Sequence, residues 1–143
     1  LGISQISAGS STGVGGYART GKLGFEEQTP QFEVADHRSP TELLSALIRQ
    51  GYIPSYCTAC YREGRTGDRF MRLAKTGQIG NVCQANALLT LQEYLDDYGD
   101  DALRELGSEV ITRETESIPN PTAREKAKEF LGRIRQGERD LRF

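Results

Sequence analysis

Leu88-Leu89-Thr90-Leu91-Gln92-Glu93-Tyr94-Leu95-Asp96-Asp97-Tyr98-Gly99 is the stretch whose periodicity settles the architecture. Leu88, Leu91 and Leu95, with Tyr94 and Tyr98, recur at intervals of three and four, which stacks them on one face of a helix. Gly99 ends the run. The Tyr and Leu stripe reads as core packing. Working back along the chain, Asp68 opens a shorter helix carrying Phe70, Met71 and Leu73 and closed by Gly77. Before that, Ser39-Pro40-Thr41-Glu42 has the form of a helix start: a hydroxyl cap, Pro at the first helical position and Glu placed to close a capping box. Leu43, Leu44, Leu47 and Ile48 follow on one face, up to Gly51. Working forward, a fourth helix is expected from about Asp100 to Glu116, weakened by Gly107. A fifth starts at Asn120-Pro121, with Ala127, Phe130, Leu131 and Ile134 on one face and a stop near Gly137. The last six residues, Glu138-Arg139-Asp140-Leu141-Arg142-Phe143, are too short to fold alone.

Between these helices lie the chain's three cysteines, spaced Cys57-x2-Cys60-x22-Cys83. Cys57 and Cys60 fall in the expected loop between the first and second helices. Cys83, after Gly80-Asn81, falls in the expected loop between the second and third. One short helix thus returns the chain to the same point and closes a three-point thiolate grip. A cubane iron–sulfur cluster normally takes four thiolates, so three leave one iron with an open coordination position. Glycines 64, 67, 77 and 80 would let backbone amides approach the cluster's sulfides, and Arg62 and Arg65 stand where they would offset its negative charge.

Composition bounds this reading. The chain has 143 residues, with 18 Lys and Arg against 20 Asp and Glu, both signs interspersed. No basic excess suggests a nucleic-acid partner. No apolar stretch approaches the roughly 18 residues of a membrane span, and no charged-then-apolar leader is present. Three cysteines, two of them close together, make a poor disulfide framework. The expectation is a cytoplasmic protein whose thiols serve metal or redox work. Residues 1–7 (Leu1-Gly2-Ile3-Ser4-Gln5-Ile6-Ser7) suit a buried strand, and a Gly/Ser-rich loop from Ala8 to Tyr17 follows. A lone strand has no partner to bury against, so it is expected to belong to a sheet whose other strands lie upstream. Residues 18–38 read as a long surface loop.

Other readings stay open on the residues alone. Structural zinc could take the three cysteines with His37, the only histidine, as fourth ligand, making a small interaction module. A thioredoxin-like pair at Cys57 and Cys60 lacks the surrounding βαβ pattern. The Gly/Ser loop lacks a phosphate-binding signature.

The run Cys57-Thr-Ala-Cys-Tyr-Arg-Glu-Gly-Arg-Thr-Gly-Asp-Arg-Phe-Met71, the third cysteine at 83, and residues 86–98 resemble the C-terminal part of the radical SAM tyrosine lyases that mature FeFe-hydrogenase. The opening Ser7-Ala8-Gly9-Ser10 with Gly15-Gly16-Tyr17 is similar to the end of their barrel. The related tyrosine lyase of thiazole synthesis shares that opening but is not expected to carry the three-cysteine region. The resemblance implies a (β/α)8 barrel whose own 4Fe–4S cluster cleaves S-adenosylmethionine, and a lyase reaction splitting tyrosine to p-cresol and dehydroglycine. It further implies an auxiliary 4Fe–4S cluster on Cys57, Cys60 and Cys83. Dehydroglycine there yields carbon monoxide and cyanide on an extra iron held with free cysteine, for delivery to hydrogenase maturation proteins in an anaerobic cell.

The chain departs from the family in lacking Cys-x3-Cys-x2-Cys, and a barrel takes roughly 250 residues, so none fits here. The resulting expectation is a mostly α chain: residues 1–38 as the last strand and rim loop of a barrel, and residues 39–143 as a C-terminal helical iron–sulfur domain. Ser4, Ser7 and Ser10 would then lie at the barrel rim, near substrate or S-adenosylmethionine. The rest of the barrel would have to come from the remainder of the protein, and this segment alone should carry out no radical chemistry.

Overall fold

Ser39 and Glu42 form a reciprocal pair: the Glu42 amide donates to Ser39 Oγ at 3.2 Å, and the Ser39 amide donates to Glu42 Oε2 at 2.8 Å. With Pro40 behind the cap, helix α1 runs Pro40–Arg49. The computed structural model describes Phe32, Asp36 and residues 38–143. The strand expected at residues 1–7, the Gly/Ser loop, and Ser4, Ser7, Ser10 and His37 all lie outside the described residues. The backbone divides into two units, Leu1–Leu43 and Leu44–Phe143, the boundary falling inside α1.

After α1 come α2 (Ala59–Arg62), α3 (Gly67–Lys75), α4 (Gln78–Tyr98), α5 (Asp101–Glu116) and α6 (Pro121–Arg135). Every regular element among the described residues is helical. The last two start where polar caps allow. Asp100 Oδ1 accepts the Leu103 amide at 2.8 Å, and Asn120 Oδ1 accepts the Ala123 amide at 3.0 Å.

Helix α4 is the axis of the second unit, packing against α3, α5 and α6. Leu88, Leu89, Leu91 and Leu95 are all but inaccessible, and Gln92 is buried too. A helix with neighbours on several sides has to be apolar around most of its girth, so its leucines spread beyond one stripe. Leu44 and Ile48, Leu103, Val110 and Ile111, and Leu131 and Ile134 complete one continuous core around it. Gln92 is satisfied within that core: its amide donates to Asp96 Oδ1 at 2.8 Å, and its Oε1 accepts from Arg135 Nε at 3.1 Å.

Four expectations require correction. Helix α4 starts at Gln78, ten residues before the periodic leucines begin, so Cys83 lies inside a helix and not in a loop. Gly77, at φ +73, follows the α3 C-cap Thr76 and is itself the N-cap of α4, and one left-handed residue makes that sharp junction. Cys60 likewise sits in the one-turn helix α2, with Cys57 just before it. Gly107 is more than a weak spot in α5, because a Cβ there would come within 2.5 Å of Leu95 Cδ1. Its missing side chain is what admits Leu95. The Tyr part of the 88–98 stripe is core only in part: Tyr94 is half-buried and packs against the core, whereas Tyr98 is 70% exposed.

Candidate metal centre

Cys57 is fixed from both sides by local hydrogen bonds. Its amide donates to Ser55 Oγ at 3.2 Å, and the Ala59 amide donates to its Sγ at 3.4 Å. Cys60 follows on α2, where its carbonyl accepts the Arg65 amide at 2.7 Å. Gly64, at φ +61, makes the turn that sends the chain back toward that carbonyl. Both thiols are half-buried.

Cys83 lies on the exposed side of α4. Its thiol is pushed above the usual range, first by desolvation and then by the nearby sulfurs of Cys60 and Cys57, while Arg65 pulls it down. The fold thus brings the three thiols within charge range of one another from two separate elements. They do not converge as ligands of one ion: among the described residues, no three His, Cys, Asp or Glu side chains form such a group.

Arg65 supplies a further test of fit. The residue is half-buried, its Nη2 donates to the Phe143 carbonyl at 2.7 Å, and its Nε is buried with no partner. A buried guanidinium N–H left unpaired is costly unless an acceptor comes to it. Its charge also acts on Cys83, pulling that thiol down. Arg62 is placed differently. It forms a two-pronged ion pair with Asp140, Nη2 to Oδ2 at 2.7 Å beside the Nη1–Oδ1 contact, and is not among the groups acting on Cys83. A Cβ at Gly67, Gly77 or Gly80 would meet nothing within 4 Å.

Two features escaped the sequence reading. A groove of about 390 Å³ opens beside Cys57, lined by Tyr56, Asn86, Tyr94, Tyr98 and Asp140 among others. The Tyr56 and Tyr94 rings stack with centroids 5.6 Å apart and planes 6° off parallel. The other feature is the final segment, which docks across α2 and α4 in spite of its length. Its only advance signal was the alternation of Arg and Asp around Leu141 and Phe143.

The fold of this helical unit has a counterpart among solved structures, in a hydrogenase maturase. The chain is similar to the crystal structure of HydG, described as a maturase of the FeFe-hydrogenase, at 58% sequence identity and a TM-score of 0.88. The match covers 99% of this chain and 30% of that one, so the chain corresponds to a segment of HydG. No protein-family model and no curated protein matches it. Among the described residues, no helix is long and apolar enough to cross a membrane.

Proposed function

We propose that this chain is the auxiliary-cluster domain of a radical SAM tyrosine lyase that prepares carbon monoxide and cyanide for FeFe-hydrogenase maturation. The observation that supports it most is the 58% identity to the HydG crystal structure over 99% of this chain, the three cysteines included. In this reading the three thiolates hold a 4Fe–4S cluster. Arg65 offsets its charge, and the Ala59 amide holds the Cys57 sulfur in place. When bound, the cluster supplies an iron with an open coordination position, suited to an extra iron carried with free cysteine and to the fragments of tyrosine-derived dehydroglycine. The barrel, with its S-adenosylmethionine and second 4Fe–4S cluster, belongs to the rest of the parent protein. The setting in this reading is the cytoplasm of an anaerobe, with hydrogenase maturation proteins as recipients.

Anaerobic reconstitution with iron and sulfide tests the assignment. About four irons and four sulfides per chain are expected, with an EPR signal that changes on adding free cysteine. Cys57→Ser and Cys60→Ser should each abolish that cluster while leaving S-adenosylmethionine cleavage in the full-length protein intact. Uptake of one zinc with no sulfide would sink the proposal.

A further inference from the structure

We infer that residues 139–143 are a positioning strap that sets the Cys57–Cys60 turn against Cys83. The inference starts from how little else holds α2. Four residues make one turn, too short to be stable in isolation, and its cap Thr58 makes no side-chain hydrogen bond. Only Ala59 on this helix is buried. Yet α2 carries Cys60 and follows Cys57 directly, so its placement decides where two of the three thiols stand.

The final segment grips that turn at three successive points. Asp140 pairs with Arg62, Arg142 Nε donates to Glu63 Oε1 at 3.0 Å, and Arg65 donates to the Phe143 carbonyl at 2.7 Å. The same segment is fastened to α4. The Asp140 amide donates to Glu93 Oε1 at 2.6 Å, Arg139 pairs with Asp97 at 2.7 Å, and the Phe143 amide donates to Asn86 Oδ1 at 2.9 Å. Asn86 is buried and lies one helical turn beyond Cys83. The strap therefore touches the thiol-bearing turn on one side and the thiol-bearing helix on the other.

Its backbone reports the same tension. Asp140 is the one described non-glycine residue at positive φ, +65, a conformation that Asp tolerates better than most side chains. That bend lets a single residue present its amide to Glu93 and its carboxylate to Arg62. The Phe143 ring then packs edge-on against Phe130 at 5.7 Å, with Lys126 Nζ 4.9 Å from its centroid, which anchors the far end on α6. Each surface ion pair alone contributes little. A short segment making six directed contacts between two elements removes their freedom to slide, and thiol positioning needs that more than it needs raw stability.

The inference rests on the cysteines being a ligand set only for its purpose, and its test does not. In the full-length, cluster-free protein, two quantities are compared among wild type, Arg62→Gln and Asp140→Asn. Asn keeps the tolerance for positive φ while removing the charge. The first is amide hydrogen exchange over residues 57–65. The second is the rate at which a short bis-maleimide links Cys60 to Cys83 in a Cys57→Ser background. Both variants should speed exchange about two- to fivefold at residues 57–65 with no change in α5 and α6, and slow cross-linking by a similar factor. Arg62→Lys, which keeps the charge, should retain most of the wild-type cross-linking rate. Wild-type exchange and cross-linking in both variants would overturn the strap. Neither readout involves iron, so absence of a cluster in reconstituted wild type would count against the proposed function alone.

Discussion

At the scale of single residues, Glu42 shows how a cap becomes pH-sensitive. Its carboxylate accepts the Ser39 amide at 2.8 Å and the Ser39 hydroxyl at 2.8 Å. These bonds, the backbone one first, hold it below the usual carboxylate range. A carboxylate depressed in the folded state contributes above its unfolded value, about 4.3, and loses that contribution as pH falls through the folded one. The protection factors of amides in the first turn of α1, corrected for intrinsic exchange, should therefore stay constant from neutrality to about pH 5 and fall on further acidification. Glu42→Gln retains a capping side chain without a titration, so its first turn should not respond to acid. An equal acid response in both proteins would remove Glu42 as the cause. This cap was legible in advance, because Ser-Pro-Thr-Glu encodes it through neighbours in sequence.

Elements were legible to the extent that their signals are local. The starts at Pro40, Asp101 and Pro121 and the turns at Gly51, Gly77 and Gly137 follow from caps and glycines. The first ten residues of α4 were not, since Gly80 and Asn81 resemble a loop until packing against α3 and the core supplies what propensity withholds. The error moved Cys83 from a loop onto a helix but kept it close to Cys57 and Cys60. Gly107 shows the same limit from the other side. Its sequence says only that α5 is weakened, whereas its neighbour Leu95, 1% exposed, gives the reason for a glycine. Gly107→Ala should gain about 1 kcal/mol of helix propensity and lose about 1–3 kcal/mol to overpacking, a net destabilisation measurable by urea unfolding. Adding Leu95→Ala should make the two losses less than additive, because the smaller side chain frees the space the new methyl needs. Strict additivity would place the clash elsewhere.

Across the second unit as a whole, one core built around α4 ties the thiol-bearing helix to α5 and α6. Leu88→Ala, at a fully buried site at the centre of that core, should lower unfolding stability by about 2–5 kcal/mol. The loss should appear at once in helicity and in protection of α6, as one cooperative unit requires. Separate transitions for α4 and α6 would refute a shared core. The helical core could be read from periodicity, because burial leaves a repeating trace. The docking of residues 139–143 could not, because it rests on pairs such as Arg62 with Asp140 and Asn86 with Phe143 that lie far apart in sequence. The spacing of the cysteines marked them as candidates, and the helical setting of Cys60 and Cys83 was not legible there.

The stacked rings of Tyr56 and Tyr94 have an optical corollary. The chain contains no tryptophan and six tyrosines, so its ultraviolet emission is tyrosine emission throughout. Two of those fluorophores stand face to face in the groove beside Cys57, with Tyr98 tilted against Tyr94 at 5.3 Å. Any broadly absorbing group seated on the cysteines lies within energy-transfer reach of them, so the protein carries its own lamp beside the thiols. Loading could be followed in real time by the dimming of that lamp, without a label or an engineered probe.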